Sequence, residues 1–414
     1  MKTGWIFLLS CLTFLGYNTL FAEVSSESFA DFLKQYHTSN EKRAKGYSEL
    51  GFALIQEKPE IADLLIESGS NVNEIFDEGT SSPISLAIEK GYDALVQKMA
   101  ERKGDVNLVI RGIYDECMPQ AINEAFPKRV CGPDHYSLLQ IAIKAHRPSI
   151  AAILLRNGAN PNFLSPMGYR PIHLAIRHEQ PEIVRLLVTR GVDTNAIDLW
   201  GFSPLHYVAF LPKDVHTGKY AELLVERGAD INKKIEAPIG KFAPLHLAAF
   251  NNHNDLIQVL IQYSAKVDLE DSQGCTPLWC SIRGPYESPD IIKTLVTAGA
   301  NPNRLNRFQM VGPPPNLYFY TPLSLAIAKN KLQAAKALLE NGADPNQMDG
   351  NGETPLLVAV HLENHDAIAL LLQFKANPST KNRLGDSPID RAVDKNNVAL
   401  LDQLIEGQVK ILSR

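Results

Sequence analysis

Charge of neither sign dominates this 414-residue chain: 41 lysines and arginines stand against 46 aspartates and glutamates, a formal net charge of −5. That balance gives no electrostatic case for nucleic acid or an anionic membrane surface, both of which draw on clustered positive charge. Motifs that carry chemistry are equally scarce. No glycine-rich loop followed by lysine is present to cradle a phosphate, and no paired Cys-x-x-Cys spacing to hold zinc. No Asn-x-Ser/Thr acceptor occurs either, which favours a bacterial exported protein over a glycosylated eukaryotic one.

What the chain does have is a repeated unit, stated most clearly from Thr321 to Asn346. Thr321 is a good N-cap and Pro322 a good first helical residue, followed by apolar Leu323, Leu325, Ala326 and Ile327. A second apolar set, Leu332, Ala335, Leu338 and Leu339, predicts a second helix that Gly342 ends. Anchored on Thr321, the same unit recurs at Ser48, Ser82, Ser137, Arg170, Ser203, Ala243, Thr276, Thr354 and Ser387. Five of the nine intervals between these ten positions are 33 residues. Gly69, Gly158, Gly191, Gly228, Gly299 and Gly342 fall at the second-helix end, each followed four positions later by an asparagine, such as Asn195 after Gly191.

A 33-residue period with a Thr-Pro-Leu-His-x-Ala helix start is the mark of the ankyrin repeat. The chain resembles that family at Arg170–Ala175, at Ser203–His206 and at Ala243–Ala248. The resemblance implies an all-α solenoid of about ten repeats with β-hairpin finger loops, over residues 47–410. It also implies a scaffold that binds another protein, without catalysis, cofactor or metal. Repeats stack on their nearest neighbours, so one quasi-one-dimensional body is expected rather than several globular domains.

Residues 1–22 are different in kind. Lys2 precedes an apolar run from Trp5 to Leu15, and the chain turns polar after Ala22. This pattern predicts a secretory signal peptide cleaved before Glu23, with an uncleaved membrane anchor as the alternative. Export to the periplasm or the medium follows if the source is bacterial. Residues 23–46 predict an N-terminal helical cap, with a helix over Phe29–Tyr36, and the copy starting at Ser387 reads as the C-terminal cap.

Departures from the 33-residue period place insertions near 108–136, 211–218, 233–242 and 304–320. Insertions on one side of a solenoid often decorate its binding face, yet lengthened surface loops also cost little entropy. The longest holds Cys117 and Cys131, expected to form a disulfide in an oxidising compartment. Cys280 is expected as a small buried hydrophobe, and Cys275 lies just before a helix cap.

Candidate catalytic groups are few. His173, His206 and His246 share the histidine position of the repeat, where the resemblance implies a tie between helix start and neighbouring hairpin. His361 and His365 are four apart, but the repeat places them across a turn, and Leu362 stands where a zinc protease needs its glutamate. Cys131 with Asp134 and His135 keeps open an enzyme with a thiol site in the 108–136 insert. A structural envelope scaffold without a specific ligand is the other alternative.

In the ankyrin register, residues just before the helix start lie on the finger, and those at the first-helix end face the concave side. In the central repeats these slots hold Tyr169, Trp200, Phe202, Tyr318 and Tyr320 on fingers, and Arg177, Phe210 and Phe250 at helix ends. Aromatic residues and arginine dominate interface hot spots, so these residues are expected to bind the protein partner of a monomeric chain. The competing expectation is that the rings seal the hairpins, Phe202 and Phe242 above all.

Overall fold

The structure, a computed structural model, describes residues 26–39, 45–115, 133–166, 168–212, 215–235, 240–309 and 317–412. It divides into two compact units, one ending at Asp193 and the other beginning at Thr194. The predicted signal peptide at 1–22 lies outside the described residues.

The first unit runs α1 (Ser26–Thr38), α2 (Glu49–Ile55), α3 (Pro59–Glu67), α4 (Pro83–Lys90) and α5 (Asp93–Glu101). It continues through β1 (Val109–Asp115), β2 (Pro133–Ser137), α6 (Leu138–Lys144), α7 (Pro148–Arg156), α8 (Pro171–Arg177) and α9 (Pro181–Thr189). Helix α1 closes the start of this stack. Its Phe32 is wholly buried, 5.7 Å from the Phe52 ring, and Tyr36 packs on the same ring.

The second unit runs α10 (Pro204–Val208), α11 (Thr217–Val225), α12 (Pro244–Phe250), α13 (Asn254–Gln262), α14 (Pro277–Arg283) and α15 (Pro289–Thr297). After β3 (Asn306–Gln309) and β4 (Leu317–Tyr320) come α16 (Pro322–Ala328), α17 (Leu332–Glu340), α18 (Pro355–His361), α19 (His365–Gln373), α20 (Pro388–Asp394) and α21 (Val398–Leu412). Both units are helical repeat stacks carrying short β-hairpins.

Local chemistry explains the punctuation. Each of the ten anchor positions directly precedes a helix, in extended backbone conformation. Thr321 accepts the Ser324 N–H on its hydroxyl at 3.0 Å, a cap of about 1 kcal/mol. The second helices end on glycines at positive φ, 73° at Gly191 and 93° at Gly342, where an L side chain would be strained. Leu and Ile from both helices of each pair then fill the core: Leu187, Leu260, Leu295, Leu338 and Leu371 have no measurable exposure.

Neighbouring copies are tied by a ladder of asparagine side chains. Asn195 accepts the Asp230 N–H at 2.6 Å and donates to the Gly228 carbonyl at 2.7 Å. Asn303 does the same with Asp344 and Gly342, at 2.7 and 3.0 Å. In the first unit Asn107 bridges to Asn160 and Gly158, at 2.8 and 3.2 Å. The side chain thus satisfies backbone groups beyond the helix end that its own copy cannot reach.

Two insertions carry antiparallel hairpins. Val109 pairs with Ser137 and Arg111 with His135, while Asn306 pairs with Tyr320. The expected Cys117–Cys131 disulfide is corrected: among the described residues no cysteine pair stands at bonding distance. What holds the described base of the excursion is the backbone pairing of β1 with β2. Cys117 and Cys131 themselves lie outside the described residues. The described cysteines, Cys275 and Cys280, are buried free thiols.

Candidate functional site

The repeat histidines are structural ties. In the second unit His206 Nδ1 accepts the Ser203 N–H at 3.1 Å, and its Nε2 lies 3.2 Å from the Phe242 carbonyl of the next finger. His246 repeats this with Ala243 and Cys275, each at 3.2 Å. A carbonyl only accepts, so Nε2 carries the proton. Burial holds both rings in the neutral form, with His206 down to about 4. In the first unit Gln140 replaces the histidine and makes the same two bonds, accepting from Ser137 N–H at 3.1 Å and donating to the Tyr169 carbonyl at 2.9 Å.

The fingers of the second unit turn around a buried acceptor. Asp198 Oδ1 accepts the N–H groups of Trp200 and Phe202, at 2.9 and 2.8 Å. Asp271, Asp349 and Asn382 hold their own turns in the same way. Burial pushes the Asp198 carboxyl up to about 6 against its hydrogen bonds from Tyr207 and the backbone.

The aromatic candidates separate by burial. Tyr169 and Phe202 are each 1 % exposed, and Phe202 packs on His206, Tyr207 and Phe210 of its own repeat. Arg177 Nη1 donates to the Tyr169 hydroxyl at 3.0 Å and its Cζ lies 5.4 Å from the ring centre, so the guanidinium is engaged inside the first unit. Trp200, Phe210 and Tyr320 are half-buried, and Phe250 keeps 39 % of its surface. The side chain of Tyr318 lies outside the described residues.

Phe210 and Phe250 sit at successive first-helix ends that are locked together. Phe210 packs edge-on against Phe202 at 5.6 Å, and Asn251 Nδ2 donates to the Ala209 carbonyl at 2.8 Å. On the other side Gly284 lies against Phe250: a Cβ there would come within 2.3 Å of the Phe250 carbonyl oxygen. Gly284 opens a loop whose carbonyls at Gly284 and Tyr286 accept from Lys331 Nζ, at 2.5 and 2.7 Å. Tyr286 is 39 % exposed. Tyr286 is not among the expected anchors because the loop after α14 runs over five residues, 284–288, where most copies turn in three. Leu199, 62 % exposed beside Trp200 on the finger, was missed because an isolated leucine carries no sequence signal.

Nothing in this surface offers reaction chemistry. Among the described residues no group of three or more His, Cys, Asp or Glu is placed to hold a metal ion. His361 and His365 diverge, the first toward Glu353 at 3.1 Å and the second toward Gln403 at 2.9 Å. Burial pushes the Cys275 thiol up to about 12, so it is protonated and a poor nucleophile at neutral pH. No helix among the described residues is long and apolar enough to cross a membrane.

Helix pairs with capped starts, glycine ends and inter-copy ties define a helical-repeat protein. The family profile for ankyrin repeats matches residues 138–235, 222–306 and 320–413, and the chain belongs to the ankyrin-repeat family. It is 32 % identical over 131 residues to an ankyrin repeat protein of fowlpox virus, covering 31 % of this chain and 16 % of the viral protein. It is 30 % identical over 126 residues to ankyrin repeat protein nuc-2 of Neurospora crassa, covering 30 % of this chain and 10 % of that protein. Identity to ankyrin repeat and SOCS box protein 11 of Danio rerio is 30 % over 114 residues, or 28 % of this chain and 34 % of the relative. The matches thus span between 10 % and 34 % of these relatives' lengths, and they concern the repeats.

Proposed function

We propose that the protein is an exported, non-enzymatic scaffold of about ten ankyrin repeats that binds a protein partner as a monomer, through aromatic residues of its second unit. The reading rests on Phe250, which stays 39 % exposed while its helix end is fixed from both sides by Asn251 and Gly284. A large exposed ring on a fixed backbone gives a partner apolar area to bury without reordering the chain, which is the property of a hot-spot anchor. Phe210, Tyr286 and the finger residues Trp200 and Tyr320 extend the surface, with Leu199 beside Trp200. Export rests on the Trp5–Leu15 run that follows Lys2.

Affinity capture from the native compartment, followed by hydrogen exchange on the recovered complex, tests the proposal. Protection is expected in peptides covering Trp200, Phe210, Phe250 and Tyr286. No enriched partner would favour a structural spacer, and protection confined to the first unit would move the surface. Intact mass of the secreted protein is expected to start at Glu23.

A further inference from the structure

The last copy of the second unit carries an apolar face that its own repeat pattern would have covered. Six positions after the anchor, Ala249, Ile282, Ile327 and Val360 have no measurable exposure, whereas their counterpart Val393 on α20 is 56 % exposed. On the second helices Ala335 and Ile368 are wholly buried, and their counterpart Leu401 on α21 is only half-buried. Helices α20 and α21 pack on α18 and α19 before them, as those pack on α16 and α17. What buries the inner residues is therefore the copy that follows, and none follows α21 among the described residues. The opened face continues along α21, where Val398, Leu401, Ile405 and Val409 recur at helical spacing and all but Leu401 are exposed. A terminal repeat ordinarily turns a polar face outward, and an apolar one marks a contact surface.

The charge beside this stripe has one sign. Asp390 and Asp394 follow Ile389 and Val393 on α20, and Asp402 and Glu406 follow Leu401 and Ile405 on α21; all four carboxylates are exposed. The described cations of these helices are turned to other partners: Arg391 pairs with Asp386 at 3.0 Å, and Lys395 with Glu363 at 2.8 Å. Among the described residues neither Asp394 nor Asp402 has a hydrogen bond or an ion pair.

We propose that this end face docks a basic amphipathic helix of a partner protein. The helix would lay its apolar stripe across Val393, Leu401 and Ile405, much as the next helix pair of the stack would, with lysines or arginines beside Asp394 and Asp402. A second copy presenting the same face would set these carboxylates against their own kind, and like charges opposed across a contact disfavour that pairing. The face is separate from the aromatic surface proposed above and does not depend on it.

Fluorescence anisotropy on the full chain tests this with labelled synthetic peptides of about four helical turns. One carries leucines at i, i+4, i+7 and i+11 flanked by lysines, the second the same leucines flanked by glutamates, and the third is the lysine peptide scrambled. The lysine peptide should bind with a Kd of about 100 μM or tighter, more weakly as salt is added, and the other two at least about tenfold more weakly. Asp394→Lys with Asp402→Lys should turn the preference toward the glutamate peptide. Val393→Ser with Ile405→Ser should weaken the lysine peptide at least about tenfold. Hydrogen exchange with that peptide bound should show new protection over residues 388–412. No binding, equal binding of the scrambled peptide, an unchanged preference after charge reversal, or protection confined to other helices would overturn the proposal. So would a dimer in sedimentation that the serine variant dissociates, which would assign the face to a second copy. The peptide series and the exchange map on the unaltered chain decide the matter even if a variant fails to fold.

Discussion

Tyr207, on the first helix of its repeat, reaches back to donate its hydroxyl to Asp198 Oδ2 at 2.7 Å, in the finger that its own helix follows. Oδ1 of the same carboxylate accepts the Trp200 and Phe202 N–H groups, so one buried side chain fixes the finger turn and ties it to the helix. The carboxylate bears a desolvation cost for doing so, and that cost has a measurable sign.

Asp198→Asn should stabilise the protein at neutral pH. The carboxyl is raised from 3.8 to about 6, so the folded state keeps a proton that the unfolded state releases between those values. Native stability therefore falls as pH rises through that window, by up to about 3 kcal/mol, and the loss is complete above it. An amide keeps the turn, as Asn382 shows by accepting the Leu384 and Asp386 N–H groups at 2.9 Å each. Urea unfolding at a series of pH values should show the variant matching wild type near pH 4 and exceeding it at pH 7. A variant less stable at pH 7 contradicts the account.

His206→Gln should remove an acid lability of the opposite sign. The ring is depressed from 6.5 to about 4, so its contribution is present above 6.5 and lost as pH falls toward 4. That loss is about 3 kcal/mol. Gln140 shows that glutamine can make both bonds of this position. The variant should stay folded at pH 7 and lose less stability between pH 6.5 and 4 than wild type. An unchanged acid slope would mean that His206 does not set it.

Asn195→Ala should cost about 0.5–1.5 kcal/mol, the net worth of an intramolecular hydrogen bond, because at this exposed site water takes over the Asp230 N–H and the Gly228 carbonyl. Asn195→Asp keeps the acceptor and loses the donor, so it should fall between. Thermal unfolding of both variants checks the order, and equal stability of all three proteins would remove the ladder from the stabilising interactions.

The ladder marks the boundary of what was legible in the sequence. Helix starts and ends were readable because Thr321, Pro322 and Gly342 act locally, through a cap, a fixed φ and a positive φ. The asparagine at the fourth position after each glycine was visible as a pattern, but its partners lie one copy further on. The same limit applied to the candidate site. Tyr169 and Phe202 have the residue type and register of anchors, yet each is only 1 % exposed, with Arg177 on Tyr169 and with His206, Tyr207 and Phe210 on Phe202. Gln140 carried no signal, because only the bond to the Tyr169 carbonyl reveals that it stands in for a histidine.

Leu338→Ala should lower stability by about 2–5 kcal/mol, the range for a fully buried leucine. Helix α17 packs between α15 and α19, so lost hydrogen-exchange protection should centre on those neighbours. Uniform loss across the second unit would argue for one cooperative block in place of nearest-neighbour coupling.

Trp200→Ala combined with Phe250→Ala tests the proposed binding surface. Both rings are partly in solvent, so truncation removes contact area for a partner more than it opens a cavity. The turn under Trp200 is held through its backbone N–H, and the end of α12 through Asn251 and Gly284; neither tie uses the deleted ring. Unfolding free energy should therefore change little, while affinity for the captured partner should fall by at least about 2 kcal/mol if either ring is a hot spot. Retained affinity would refute the assignment. A variant that unfolds would instead show that these rings seal the finger and helix end, as Phe202 does in its own repeat.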